Sequence, residues 1–188
     1  MKKVILASQS PRRQELLKDI VSDFVIEPSN AQEIVPDGTP ALKVPQVLAM
    51  LKASDVAAHH KEDIVIGSDT VVVVDEMVLN KPKDEKEAYR MLKLLSGRRH
   101  IVCTGCAIVC GNKSHSFSVE TEVEFFKLTD KEIYDYIATK DPMDKAGAYG
   151  VQSKGKTLVK GIYGDYYNVV GLPIGVLKRE LCSFMKSL

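Results

Sequence analysis

Residues 4–20 read VILASQSPRRQELLKDI, and the fold turns on how the six letters from Ser8 to Arg13 are taken. Val4 to Ala7 is a short apolar run with strand character. From Pro11 to Ile20 the spacing is helical, because Leu16, Leu17 and Ile20 share one face. Ser10 stands where an N-cap belongs, and Pro11 fits the first helical position. SQSPRR is therefore a strand-to-helix turn, and the chain begins β then α.

Working outward, residues 23–27 (DFVIE) predict a second strand, and residues 28–40 (PSNAQEIVPDGTP) a polar loop punctuated by Pro and Gly. Ala41 to His60 predicts a long helix, with Pro45 near its start and Val47, Leu48 and Leu51 spaced for burial. The β-branched run in residues 63–82 (DIVIGSDTVVVVDEMVLNKP) predicts strands around a turn at Asp75 and Glu76. A helix follows from Asp84 to Leu95, opened by Asp84 with Glu87 and stopped by Gly97. Strands over 100–109 and 114–126 flank Gly111-Asn112 as a hairpin, and Thr129 with Glu132 opens a helix to Ala138. Residues 141–156 (DPMDKAGAYGVQSKGK) read as loop, 157–171 (TLVKGIYGDYYNVVG) as strand, and 173–188 as a C-terminal helix. Helices and strands alternate without a strict βαβ rhythm. The expectation is one α/β domain over residues 1–188, with an extended mixed sheet and flanking helices.

The chain has 188 residues, 45% hydrophobic and 27% charged, enough for a good core. Lys and Arg number 26 against 25 Asp and Glu, so no global field recruits nucleic acid or an anionic membrane, and any attraction for anions is local. No apolar stretch approaches the roughly 18 to 20 residues that span a bilayer, and no signal-peptide core precedes the first strand. A cytoplasmic location is expected. Cys103 and Cys106 form a C-x-x-C, but side chains three apart on a strand point to opposite faces, so the four cysteines are read as buried thiols.

Three places break local rules in ways that suggest chemistry. Arg12 and Arg13 put two cations in a first helical turn, against the dipole, where acids are normally placed. With Ser8, Ser10 and the open N–H groups of the helix they make a phosphate cradle, though the same letters also describe a capped helix with solvated arginines. Asp69 interrupts an apolar strand on the face shared by Val65, Gly67, Val71 and Val73, so it needs a cation, a donor network or a raised pKa. Gly67 is expected to leave room for a ligand beside it. Residues 141–152 gather Asp144, Lys145, Tyr149 and Gln152 among glycines. There Tyr149 could stack, and the Gln152 amide matches the edge of a uracil or thymine base; a turn with a core tyrosine fits equally well. Lys52, Lys81 and Glu33 are bland singly. As a set with the cradle and Asp69 they are the parts of metal-assisted phosphate-ester hydrolysis.

ILASQSPRR, Gln32-Glu33, Leu51-Lys52-Ala53, IGSDTVVVVD, LNKPKD, MLKLLSGRRHIVCTG, PMDKAGAYGVQ and GDYYNVVGLP, in that order, resemble the Maf family of nucleoside triphosphate pyrophosphatases. The resemblance implies two lobes around a nucleotide cleft, in a fold like that of inosine triphosphate pyrophosphatases. It implies hydrolysis of a nucleoside triphosphate to monophosphate and pyrophosphate with Mg²⁺, Mn²⁺ or Co²⁺, on the branch acting on dTTP and UTP. Asp69 would be catalytic and, with Glu33, a metal partner. Ser8, Ser10, Arg12, Arg13, Lys52 and Lys81 would hold the triphosphate, with Thr70 and Gln152 near the substrate determinants. A homodimer and an association with septum formation are also implied. Departures fall at Lys140-Asp141, where Gly-Glu is expected, at Ser68 for alanine and at Ser153 for glycine. A nucleotide-sensing regulator of division with little hydrolysis is the alternative; a nucleic-acid-binding role lacks a basic face.

Overall fold

The computed structural model describes residues 2–188. The opening turn forms as its letters predict: β1 (Val4–Leu6) leads into α1 (Pro11–Lys18), with Ser10 extended at the N-cap, its side chain accepting from the Arg13 amide. The remaining elements are β2 (Val25–Ile26), α2 (Val44–Ala57), β3 (Ile64–Val74), β4 (Met77–Leu79), α3 (Glu85–Leu95), β5 (Arg99–Cys110), β6 (Lys113–Phe125), α4 (Asp130–Ala138), β7 (Val159–Tyr163), α5 (Tyr166–Val170) and α6 (Ile174–Ser187). The caps expected at Asp84 and Thr129 are present as well. Asp84 caps α3 by accepting from the Glu87 amide at 2.7 Å, and Thr129 with Glu132 closes a reciprocal capping box on α4.

Among the described residues, seven strands form one mixed sheet in the order β2-β1-β3-β5-β6-β7, with β4 paired to β3. β1 runs parallel to β2 and to β3, whereas β4 is antiparallel to β3 and β7 to β6. Asp75 and Glu76 turn the β3–β4 hairpin with φ of 49° and 62°, the left-handed pair that a two-residue type I′ turn requires. Neither is glycine, so the turn carries a cost of roughly 1–2 kcal/mol per residue. Arg98 donates to the Asp75 carboxylate at 2.6 Å and steadies it.

The chain folds as two compact units. One comprises residues up to Thr70 with Thr104–Val119 and Gly171–Leu188; the other comprises Val71–Cys103 and Glu120–Val170. The core of the first is small and tight: Ile5, Ala7, Val65, Ala107 and Val109 from the strands meet Ala49, Ala53, Val56 and Ala57 of α2. In the second, α3 and α4 pack together, burying Ala88, Leu92, Leu95, Ile133 and Ile137.

Two expectations need correction. Residues 166–170 are helical, not strand: Asp165 accepts from the Tyr167 amide at 2.8 Å, and the fully buried Asn168 donates to the Val102 carbonyl and to Thr121 Oγ1. Those contacts override the β-preference of the tyrosines and valines. Cys103, Cys106 and Cys110 are buried thiols as expected, but Cys182 is exposed on α6.

Candidate active site

The site begins with a missing methyl group. A Cβ on Gly67 would lie 2.3 Å from the Ala49 carbonyl oxygen and 2.9 Å from the Ala53 amide nitrogen, so α2 occupies the space beside the strand. The expectation that this glycine leaves room for a ligand is overturned; it admits a helix. That close approach carries Lys52 to the strand, where its Nζ sits 2.6 Å from Asp69 Oδ1 and 2.8 Å from Glu33 Oε1. Asp69 and Lys52 are mostly buried, with side chains 13% and 17% exposed, while Glu33 is 55% exposed. The carboxylate that interrupts the apolar strand thus has the cation that its burial demands.

Glu33 arrives on a loop that α2 also holds. Asp55, three residues beyond Lys52, accepts from Ser29 Oγ at 2.7 Å and from the Asn30 amide at 2.9 Å. The Ser29 hydroxyl, followed by the backbone amides, holds the Asp55 carboxyl below its ordinary range. Sequence reasoning passed over Asp55. Its signal was the spacing of Asp55 and Lys52 at i, i+3 on a helix, opposite a serine and an asparagine in the loop.

The residues read above as a phosphate cradle meet β3 at Thr70, the neighbour of Asp69. Arg13 donates from Nε to the Gly171 carbonyl (2.9 Å), from Nη2 to Thr70 Oγ1 (3.0 Å) and from Nη1 to Ser8 Oγ (3.4 Å). Ser8 Oγ also accepts from the Ser10 amide. Burial lowers the Arg13 guanidinium from its usual value, opposed first by the nearby Asp69 charge. Arg13 therefore fixes the hydroxyls of Ser8 and Thr70 as much as it offers a charge. Arg12 follows Pro11 on the first turn of α1 and is partly buried. Thr104, unnoticed in the sequence, is fully buried with its Oγ1 2.9 Å from Thr70 Oγ1. Ser68 is buried and donates to the Gly171 carbonyl. Ser8, Ser10, Arg12, Arg13, Glu33, Lys52, Asp69 and Thr70 all belong to the first unit.

Lys81 and Gln152 belong to the second. Lys81 is exposed after β4. Gln152, also exposed, lines an open pocket of about 570 Å³ together with Asp141, Lys145, Ser153 and other residues. Tyr149 is not free to stack: its hydroxyl lies 2.7 Å from His100 Nε2, and its ring meets Phe125 and His100 edge-on. Asp141 and Ser153, two of the departures noted above, are in contact at 2.6 Å.

The fit of a divalent cation can be tested on the donors. Two carboxylates reach one point at which a positive charge already rests, and among the described residues no cluster of three or more His, Cys, Asp or Glu side chains could hold a metal. A pair of carboxylates is what Mg²⁺ uses when substrate phosphates complete its shell. Glu33 and Asp69 fit that role.

These elements define an α/β mixed-sheet fold. The solved structure of the Staphylococcus aureus Ham1 protein shares it, with a TM-score of 0.59 and 16% identity, covering 97% of this chain and 99% of that one. At that identity the likeness concerns the fold alone. The chain belongs to the Maf family: the family described as Maf-like protein matches residues 3–184. It is 50% identical over 184 residues to the dTTP/UTP pyrophosphatase of Bacillus cytotoxicus, covering 98% of this chain and 96% of that protein. It is 48% identical, with the same coverage, to the dTTP/UTP pyrophosphatase of Bacillus mycoides.

Proposed function

We propose that the protein hydrolyses dTTP and UTP to the nucleoside monophosphate and pyrophosphate, with a divalent cation. The observation that carries this is the Glu33–Lys52–Asp69 bridge set next to the Arg13–Thr70 contact: Asp69 and Thr70 are neighbours on β3, the first paired with Lys52 of α2 and the second with Arg13 of α1. The relatives' activity supports the substrate class.

Ser8, Ser10, Arg12 and Arg13 hold phosphate oxygens at the mouth of α1, with Lys81 as a further cation for the triphosphate. Lys52 orients the two carboxylates and offsets their charge against the incoming substrate. Asp69 takes the proton of a water whose oxygen bonds the α-phosphorus as the bond to the bridging oxygen breaks and pyrophosphate leaves. Glu33 and Asp69 would hold a Mg²⁺, Mn²⁺ or Co²⁺ ion, which would supply neutralisation of the developing phosphate charge. Gln152 meets the acceptor and donor edge of uracil or thymine, and Thr70 contributes to substrate choice. The family resemblance carries a cytoplasmic homodimer with this reading, and light scattering on the purified protein counts the subunits.

Pyrophosphate release from dTTP, UTP, CTP and purine triphosphates, with metal and with EDTA, tests the proposal. Asp69→Asn is expected to lower kcat by about 10²–10⁴-fold while nucleotide binding survives. Near-normal turnover in that variant removes Asp69 from the mechanism. Tight binding without hydrolysis by the wild type favours instead a nucleotide sensor of the kind associated with septum formation.

A further inference from the structure

We infer that Asp141, acting through Ser153 and Lys145, is the positioning residue that sets Gln152 for the pyrimidine edge. The inference rests on the base-reading role of Gln152 proposed above. Gln152 is exposed, and the backbone on either side of it is fixed. One residue beyond, Ser153 Oγ donates to Asp141 Oδ2 at 2.6 Å and lies 3.3 Å from the Gly150 carbonyl. The same Oδ2 accepts from the Tyr136 hydroxyl at 2.8 Å, and Lys145 Nζ bonds the Asp141 carbonyl at 2.6 Å and Oδ1 at 3.2 Å. Lys145 is further tied to Asp144 at 2.6 Å.

The glycines show how tightly this is built. A Cβ on Gly150 would lie 2.6 Å from Lys145 Cδ and Cε, and one on Gly155 would lie 2.6 Å from Tyr136 Oη. The stem of Lys145 and the phenol of Tyr136 therefore run directly against the backbone two residues before Gln152 and three residues after it. Tyr136 is buried on α4, so the turn is anchored to a regular element. Burial pushes the Asp141 carboxyl up, but the donors from Ser153, Tyr136 and Lys145 together outweigh it and hold the carboxyl below its usual range. Asp141 is thus an ionised hub with its oxygens occupied by the turn it organises.

The functional consequence follows from where ordering occurs. An amide on an unclamped turn must be immobilised when base binds, whereas a clamped turn presents it already ordered. Hydrogen-bond discrimination between pyrimidine edges depends on that placement.

Steady-state kinetics of the full-length Ser153→Ala, Asp141→Asn, Gln152→Ala and Asp141→Asn/Gln152→Ala variants, with dTTP, UTP and CTP, test this. Ser153→Ala and Asp141→Asn are expected to raise KM for dTTP and UTP about tenfold, the equivalent of one lost hydrogen bond, with kcat moving far less. Their dTTP-to-CTP ratio of kcat/KM should fall toward that of Gln152→Ala, and the double variant should fall no further than Gln152→Ala alone. Hydrogen exchange over residues 150–155 should quicken in Ser153→Ala, which removes a single hydroxyl and decides the matter if Asp141→Asn does not fold. If Gln152→Ala loses base preference while Ser153→Ala and Asp141→Asn keep it, or if exchange is unchanged, the clamp is overturned and the base reading stands. If Gln152→Ala keeps the wild-type preference, the base reading falls and this inference with it.

Discussion

At the scale of single residues, His100 is a buried titratable group away from the proposed chemistry. It is 3% exposed, its Nε2 lies 2.7 Å from the Tyr149 hydroxyl, and its Nδ1 has no partner among the described residues. A second proton on that ring would be buried without an acceptor, and burial pushes the imidazole down to about 4. The unfolded chain protonates near 6.5, so the unfolded state binds the extra proton first as pH falls. The stabilising contribution is complete above about pH 6.5 and is lost progressively down to about pH 4. Urea unfolding of the wild type between pH 7 and pH 5 should show a loss from this group of roughly 2 kcal/mol. His100→Gln should lack that part of the pH dependence; an identical slope in both proteins would assign the acid sensitivity elsewhere.

At the scale of elements, the contact between α2 and β3 decides where the charged groups meet. Gly67→Ala would force a methyl group into the Ala49 carbonyl and the Ala53 amide, which are backbone atoms of α2 and cannot swing aside. A loss of about 3 kcal/mol is expected in chemical denaturation, together with a drop in activity as Lys52 is carried away from Asp69. A stable, active variant would show that the helix has slack the packing does not suggest. Elements of this kind were unevenly legible in the sequence. The caps of α1, α3 and α4 were readable because N-capping is local, with partners three residues apart. The hairpin at Asp75-Glu76 was readable from its flanking valines. Gly67 was misread because a glycine in a strand signals close approach without saying what approaches. Residues 166–170 were misread because the side chain that makes them helical, Asn168, finds its partners at Val102 and Thr121, far away in the chain.

At the scale of the whole molecule, the proposed substrate should act on folding as a linked ligand. In the Asp69→Asn variant, dTTP with Mg²⁺ at one hundred times its Kd should stabilise the fold by about 2.7 kcal/mol and raise Tm by about 5–10 °C. An unchanged melting curve at that concentration would exclude specific binding. Of the candidate site, the residue types and their strand or helix positions were visible beforehand, whereas the joints that assemble them were not. Glu33 reaches Lys52 through a loop pinned by Asp55, and Arg13 reaches the Gly171 carbonyl across 158 positions of sequence. That last span bears on how the protein comes into being. During synthesis the arginine of the first helix leaves the ribosome long before the carbonyl that receives its Nε. A nascent chain halted short of Gly171 therefore leaves the proposed anion cradle unfinished, and on that proposal the capacity to capture nucleotide should arise late in translation, as a step and not by increments.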